Sequence, residues 1–175
     1  MTTKVEELAS KVVGTAKAAK ATLEGLTGVF RHLAKEHGEV SALLMRLRTT
    51  WDPDVRRELW PTVRRELLAH ERGEIKELYP TLRSNPQTEE MANEHDRDAG
   101  ELDRAIEAVT AVAVDSPNWS SALDVLVERV QQHVHQEEDE YFPTAERVFK
   151  DRANELLERY EHAKSEAMRE LNSTP

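Results

Sequence analysis

Two stretches of this chain repeat one chemical pattern. His133 to Thr144 reads HVHQEEDEYFPT, and His70 to Thr81 reads HERGEIKELYPT. In each, the histidine is followed by glutamate at +4 and +7, an aromatic at +9, proline at +10 and threonine at +11. On a helix, residues four apart stack on one face, so His70 with Glu74, and His133 with Glu137, can each reach one common point.

The face they occupy gives the pairs their meaning. Apolar residues run Trp60, Val63, Leu67, then His70 and Glu74, then Leu78; the second copy runs Trp119, Leu123, Leu126, Val130, then His133 and Glu137, then Tyr141. The alternating steps of three and four put both polar pairs on the core stripe. A carboxylate buried there must be neutralised, paired or bound to a metal. Two further histidines hold core positions: His37 in the series Leu23, Leu26, Phe30, Leu33, His37, Val40, Leu44, Leu47, and His95 in Met91, His95, Ala99, Leu102, Ile106, Val109. The dipeptide Glu36-His37 recurs as Glu94-His95, so the duplication covers helix pairs. Four histidines and two glutamates converging in one core suit two metal ions better than one. The chain has no cysteine, which leaves nitrogen and oxygen donors; that mixture favours iron or manganese, with zinc also accommodated.

The elements that must position these residues are helices throughout. Ala, Glu, Leu, Arg and Lys dominate, no strand pattern is visible, and 175 residues suffice for one domain with a full core. A first helix over Val5 to Ala19 has the small stripe Val5, Leu8, Val12, Ala16, Ala19. Gly25 and Gly28 either divide it from the next helix or lie within one long helix. Asp52 with Pro53, and Ser116 with Pro117, read as caps and first positions of two helices; Pro61 would start or kink the former. Tyr79-Pro80 reads as a stop before a loop at Ser84-Asn85-Pro86, and Pro143 as an interruption. Phe149, Ala153, Leu156, Tyr160, Ala163, Ala167 and Leu171 outline a terminal helix, expected beside the N-terminal one. The expected fold is all-α: an antiparallel up-down four-helix bundle over residues 30–149, an N-terminal helical extension over 1–29, and a C-terminal helix over 150–175 packing on the bundle.

Other residues read more plainly. His32, His135 and His162 fall off the core stripes and are expected at the surface. Glu138, Asp139 and Glu140 read as a solvated acidic run, and Trp51, Trp60 and Trp119 as caps of the core. Glu71 is the one additional candidate ligand. No side chain is singled out as catalytic, and neither terminal helix carries visible site chemistry. The net charge of -10 argues against a nucleic-acid partner. No window approaches the roughly 18 apolar residues of a membrane span and no signal-peptide core is visible, so a cytoplasmic location is expected. The oligomeric state is left open.

At the doubled H-x3-E with its aromatic-Pro ending, the chain resembles the hemerythrin family, specifically the bacterial HHE cation-binding branch, over roughly Phe30 to Phe149. That resemblance implies an oxo-bridged di-iron centre inside the bundle. His37 and His70 would be terminal ligands of one iron, His95 and His133 of the other, with Glu74 and Glu137 bridging. It implies a small-molecule partner: dioxygen, hydrogen peroxide or nitric oxide. Oxygen-carrying members have a histidine where Ala99 stands here, and an aspartate at +5 where this chain has Glu137 at +4 from His133. Both departures point away from simple reversible oxygen carriage, and the first suggests an open position beside His95 and His133. The alternative is a non-enzymatic iron- or oxygen-sensing, storage or metal-binding module. A ferritin-like carboxylate protein would instead show E-x-x-H, the reverse of the order found.

Overall fold

The computed structural model describes residues 2–173, apart from the side chains of Thr2, Thr3 and Val5; Val5 of the N-terminal stripe therefore lies outside the described residues. The helices are α1 (Thr2–Leu23), α2 (Gly28–Thr49), α3 (Pro53–Gly73), α4 (Tyr79–Arg83), α5 (Glu89–Thr110), α6 (Pro117–Gln136), α7 (Phe142–Phe149) and α8 (Ala153–Ser173). A π-helical turn, Glu74–Leu78, joins α3 to α4, and a second, Glu137–Tyr141, joins α6 to α7. No strand occurs among the described residues. Short connections make chain neighbours antiparallel. The bundle consists of α2, α3 with α4, α5, and α6 with α7, while α1 packs along α2 and α8 packs against α3 and α2.

Local chemistry explains most boundaries. Gly25, at φ +90°, and Gly28, at φ +47°, turn the chain between α1 and α2, a conformation disfavoured for residues with a Cβ. Two helices therefore stand where the sequence also allowed one. The Asp52 carboxylate accepts from the Asp54 backbone N–H at 2.9 Å, and the Ser116 hydroxyl accepts from that of Asn118 at 3.3 Å, so both expected caps form. Pro61 lies inside α3.

Pro80 and Pro143 do not stop their helices. A helical proline lacks the N–H that would bond the carbonyl four residues back, and its ring crowds that carbonyl. Those carbonyls belong to Lys76 and Asp139, each inside one of the π turns. The turn widens there, the N–H of Tyr79 reaches the Glu74 carbonyl and that of Phe142 the Glu137 carbonyl, and the chain runs on as α4 and α7.

The apolar interior forms two clusters. One includes Leu44, Leu47, Leu59, Trp60, Ile106, Trp119 and Leu126; the other includes Phe30, Leu33, Leu78, Tyr79, Phe142, Leu156 and Tyr160. In α2, α3 and α5 the candidate histidine lies where membership changes from one cluster to the other, as between Leu33 and Leu44 in α2, and in α6 the change follows Val134, one residue past His133. The polar site is thereby held mid-bundle.

Three expectations need correction. The terminal helix, expected beside the N-terminal one, packs instead against α3 and α2. Leu8 and Val12 are 67 and 65 % exposed, and Ala16 and Ala19 are exposed as well; α1 turns Ser10, Gly14 and Ala21 inward instead. Closest approach follows the smallest side chains: a Cβ on Gly38 would lie 2.9 Å from the Gly14 Cα, so bare backbone, not the apolar stripe, selects the contact. Trp60 and Trp119 are buried edge-to-face at 6.3 Å, but Trp51 is 81 % exposed and covers no core. The buried Arg56 lies over the Trp119 ring at 4.6 Å.

Candidate metal centre

Because α2, α3, α5 and α6 each direct a histidine to the level between the apolar clusters, His37, His70, His95 and His133 converge. Two groups of donors result: His37, His70, Glu74 and Glu137, and Glu71, Glu74, His95 and His133, the ligand atoms within each lying within 4.8 Å of one another. Glu74 belongs to both. The Glu74 Oε2 lies 3.4 Å from His70 Nε2 and 3.9 Å from His95 Nε2. The Glu137 Oε2 lies 3.3 Å from His133 Nε2 and 3.1 Å from His37 Nε2. Each glutamate thus faces the histidine one turn earlier on its own helix and the single histidine of the opposite half.

The duplicated aromatic follows the same exchange. Tyr79, nine residues after His70, stacks on His95 with ring centroids 3.4 Å apart, and Phe142, nine after His133, stacks on His37 at 5.8 Å. Each motif therefore fixes the ring plane of the other half's histidine. The Tyr79 hydroxyl also donates to Glu137 Oε1.

Buried polar atoms are ordinarily hydrogen-bonded. Here all four histidine Nε2 atoms, both oxygens of Glu71, both of Glu74, and Glu137 Oε2 are buried without a hydrogen-bond partner. Four imidazole nitrogens and three carboxylates aimed at two points, with no thiolate among them, fit a pair of cations of the iron, manganese or zinc type.

A family model for the hemerythrin HHE cation binding domain matches residues 28–145. The chain belongs to that family. A hemerythrin-family assignment accounts for the helical bundle and for the buried His/Glu donors. Among curated proteins the chain is similar to a DNA nickase from Nostoc sp. (strain PCC 7120 / SAG 25.82 / UTEX 2576), 29 % identical over 110 residues that make up 61 % of this chain and 30 % of the relative. The match thus spans under a third of that protein. No solved structure matches significantly.

Within this hemerythrin-family site, charge is poised for a cation. Burial, reinforced by the Glu137 charge, pushes the Glu71 and Glu74 carboxyls well above the usual carboxylate range. Burial opposes ionisation of Glu137 too, but the His133 and His37 imidazoles outweigh it and hold that carboxyl low. Burial drives His70 down to about 4 and His95 to about 3, and lowers His133. For His37 burial also lowers, yet the Glu137 and Glu138 carboxylates prevail and raise it to about 9. Metal ligands must be deprotonated, so a bound cation would supply the positive charge these carboxyls lack.

All six residues expected from sequence are brought together. Glu71, the additional candidate, joins them: buried, it places Oε1 3.2 Å from His95 Nε2 and Oε2 3.7 Å from His133 Nε2. It fills the neighbourhood in which Ala99 suggested an open position. Glu138 departs from expectation, since its carboxylate accepts from His37 Nδ1 at 2.9 Å and Lys17 Nζ at 2.6 Å. His135 and His162 are exposed as expected, whereas His32 is half-buried and bonds Glu36 at 3.0 Å. The terminal helices also contribute, through Lys17, Tyr160 and Lys164; the stripes of small and apolar residues along those helices carry no sign of it.

A cavity of about 240 Å³ reaches His37, His70 and His133. Its wall is largely apolar, from Val40, Leu43, Leu67, Leu102 and Val130, and exposed Glu7 and Lys11 stand at its outer edge. Among the described residues no helix is long and apolar enough to cross a membrane.

Proposed function

We propose that this hemerythrin-family protein holds two iron ions and uses them to bind or react with a small oxidant, namely dioxygen, peroxide or nitric oxide. The reading is carried by one observation: two donor groups share Glu74, and their seven residues hold four imidazole Nε2 atoms and five carboxylate oxygens buried without a hydrogen-bond partner. His37 and His70 would be terminal donors to one ion, and His95, His133 and Glu71 to the other. Glu74 and Glu137 would span both. Bound iron would supply Lewis acidity and electron transfer at this point.

The chain's own contribution is positional and protective. Tyr79 and Phe142 hold two imidazole planes, the Tyr79 hydroxyl orients Glu137, and the apolar clusters on either side limit water. The apolar cavity suits entry of a small uncharged molecule. Nicking of DNA, named for the Nostoc relative, is not the reading favoured here, because a chain of net charge -10 repels phosphate. Glu71 beside His95 and His133 removes the reason to place the small molecule at an opening left by Ala99.

The test is to load the purified protein with iron anaerobically, then add dioxygen, hydrogen peroxide or nitric oxide in separate experiments while recording the near-ultraviolet spectrum. At least one should change the spectrum at a stoichiometry of two irons per chain. A loaded protein whose spectrum responds to none of them would overturn the proposal.

A further inference from the structure

The two donor groups are alike in kind, since each combines two imidazoles with two carboxylates. What lies behind the imidazoles differs. His37 turns Nδ1 onto Glu138 at 2.9 Å, and His70 turns Nδ1 onto Glu36 at 2.9 Å. His95 Nδ1 is buried with no hydrogen-bond partner. A carboxylate behind a ligating imidazole fixes its tautomer, leaves Nε2 free to coordinate and raises its basicity.

Those two carboxylates are held from outside the four-helix bundle. From α1, Lys17 Nζ donates to Glu138 at 2.6 Å. From α8, the Tyr160 hydroxyl donates to Glu36 Oε2, and Lys164 Nζ lies 2.8 Å from Glu36 Oε1 and 3.1 Å from Glu66. Two glycines next to candidate ligands admit these helices. Gly38, after His37, lets α1 in, and a Cβ on Gly73, before Glu74, would lie 2.7 Å from the Tyr160 ring. Both terminal helices extend beyond the matched segment 28–145.

We infer that Lys17, Tyr160 and Lys164 are positioning residues that make the His37/His70 position the tighter of two unequal metal positions, so that the first ion enters there. The inference rests on the two-ion reading above. Carboxylates behind metal-bound histidines typically change affinity by about 10–100-fold when removed, and the same range is expected here for one ion and not the other.

Stepwise competition between the whole protein and a chelator for Fe(II), measured anaerobically, tests this. The parent should bind two ions in two resolved steps. Tyr160→Phe, which keeps the ring against Gly73, and Glu138→Gln should each weaken the first step by about 10–100-fold and leave the second within about twofold. Lys164→Met should do the same, whereas Lys164→Arg should keep the parental first step. Glu71→Gln should weaken the second step alone. Two ions bound with a first step unmoved by Tyr160→Phe and Glu138→Gln, or with both steps weakened alike, would overturn the inference. A parent that binds fewer than two ions would overturn the two-ion reading, and this inference with it.

Discussion

Replacing Glu74 by methionine should have opposite effects on the metal-free and the metal-loaded protein. Glu74 is fully buried, neither oxygen has a hydrogen-bond partner, and burial keeps its carboxyl neutral well above the usual range. A buried unsatisfied polar group costs about 1–3 kcal/mol. In chelator, Glu74→Met should therefore stabilise the fold by about that amount, which for a chain of this size raises Tm by roughly 2–4 °C per kcal/mol. With metal present the balance reverses. Each ion held at a concentration a hundredfold above its Kd adds about 2.7 kcal/mol, and loss of the carboxylate common to both donor groups puts both ions at risk. The loaded variant should then be about 2–4 kcal/mol less stable than the loaded parent. Thermal denaturation followed by circular dichroism, with chelator and with excess Fe(II), measures both. A variant less stable than the parent in chelator as well would show that Glu74 serves the fold, and would refute the assignment of this carboxylate to a metal.

Other consequences can be checked singly. His95 is held down to about 3 in the folded protein against about 6.5 unfolded, so its contribution is lost as pH falls below about 6.5 and the unfolded state takes up the proton. Between pH 7 and pH 5 this amounts to about 2 kcal/mol, and the metal-free His95→Gln variant should lose that much less stability over the interval in urea titrations; an unchanged slope would contradict it. His37, raised to about 9, has the opposite sign, its contribution being present below about 6.5 and lost as pH rises through 9, so metal-free His37→Gln should show a shallower loss on the alkaline side. Pro80→Ala supplies the N–H that the Lys76 carbonyl lacks and should let the π turn relax; metal affinity should fall at least about tenfold with helicity unchanged by circular dichroism, and unaltered affinity would show that the turn does not aim Glu74.

How much of this was legible in the sequence depended on whether the information was periodic. The register of His70 with Glu74 and of His133 with Glu137 follows from the 3.6-residue repeat, and the core stripes of α3, α6 and α8 are buried as that repeat requires. The π turns escaped notice because a proline after an aromatic reads as a helix end, whereas here it widens the turn in front of it. The inward face of α1 escaped because its apolar residues mark an amphipathic helix, but Gly14 meeting Gly38 decides which side approaches α2. Glu138 sits one residue past a core position within an acidic run, and only the placement of α1 and His37 shows that it is enclosed. Glu71 is a candidate ligand from its place beside His70, but its burial is not legible there: α3 has neighbours on several sides, so a residue just off its main stripe is still buried. Apolar periodicity puts Tyr160 on the buried face of α8, yet it carries no information about the partner of its hydroxyl.

Crystals of the iron-loaded protein, measured with anomalous scattering at the iron edge, test the central claim most directly. Two peaks per chain are predicted between the apolar clusters, one about 2.0–2.3 Å from the Nε2 atoms of His37 and His70 and the other equally close to those of His95 and His133, with Glu74 reaching both. A single peak, or peaks that leave these Nε2 atoms unligated, would contradict it.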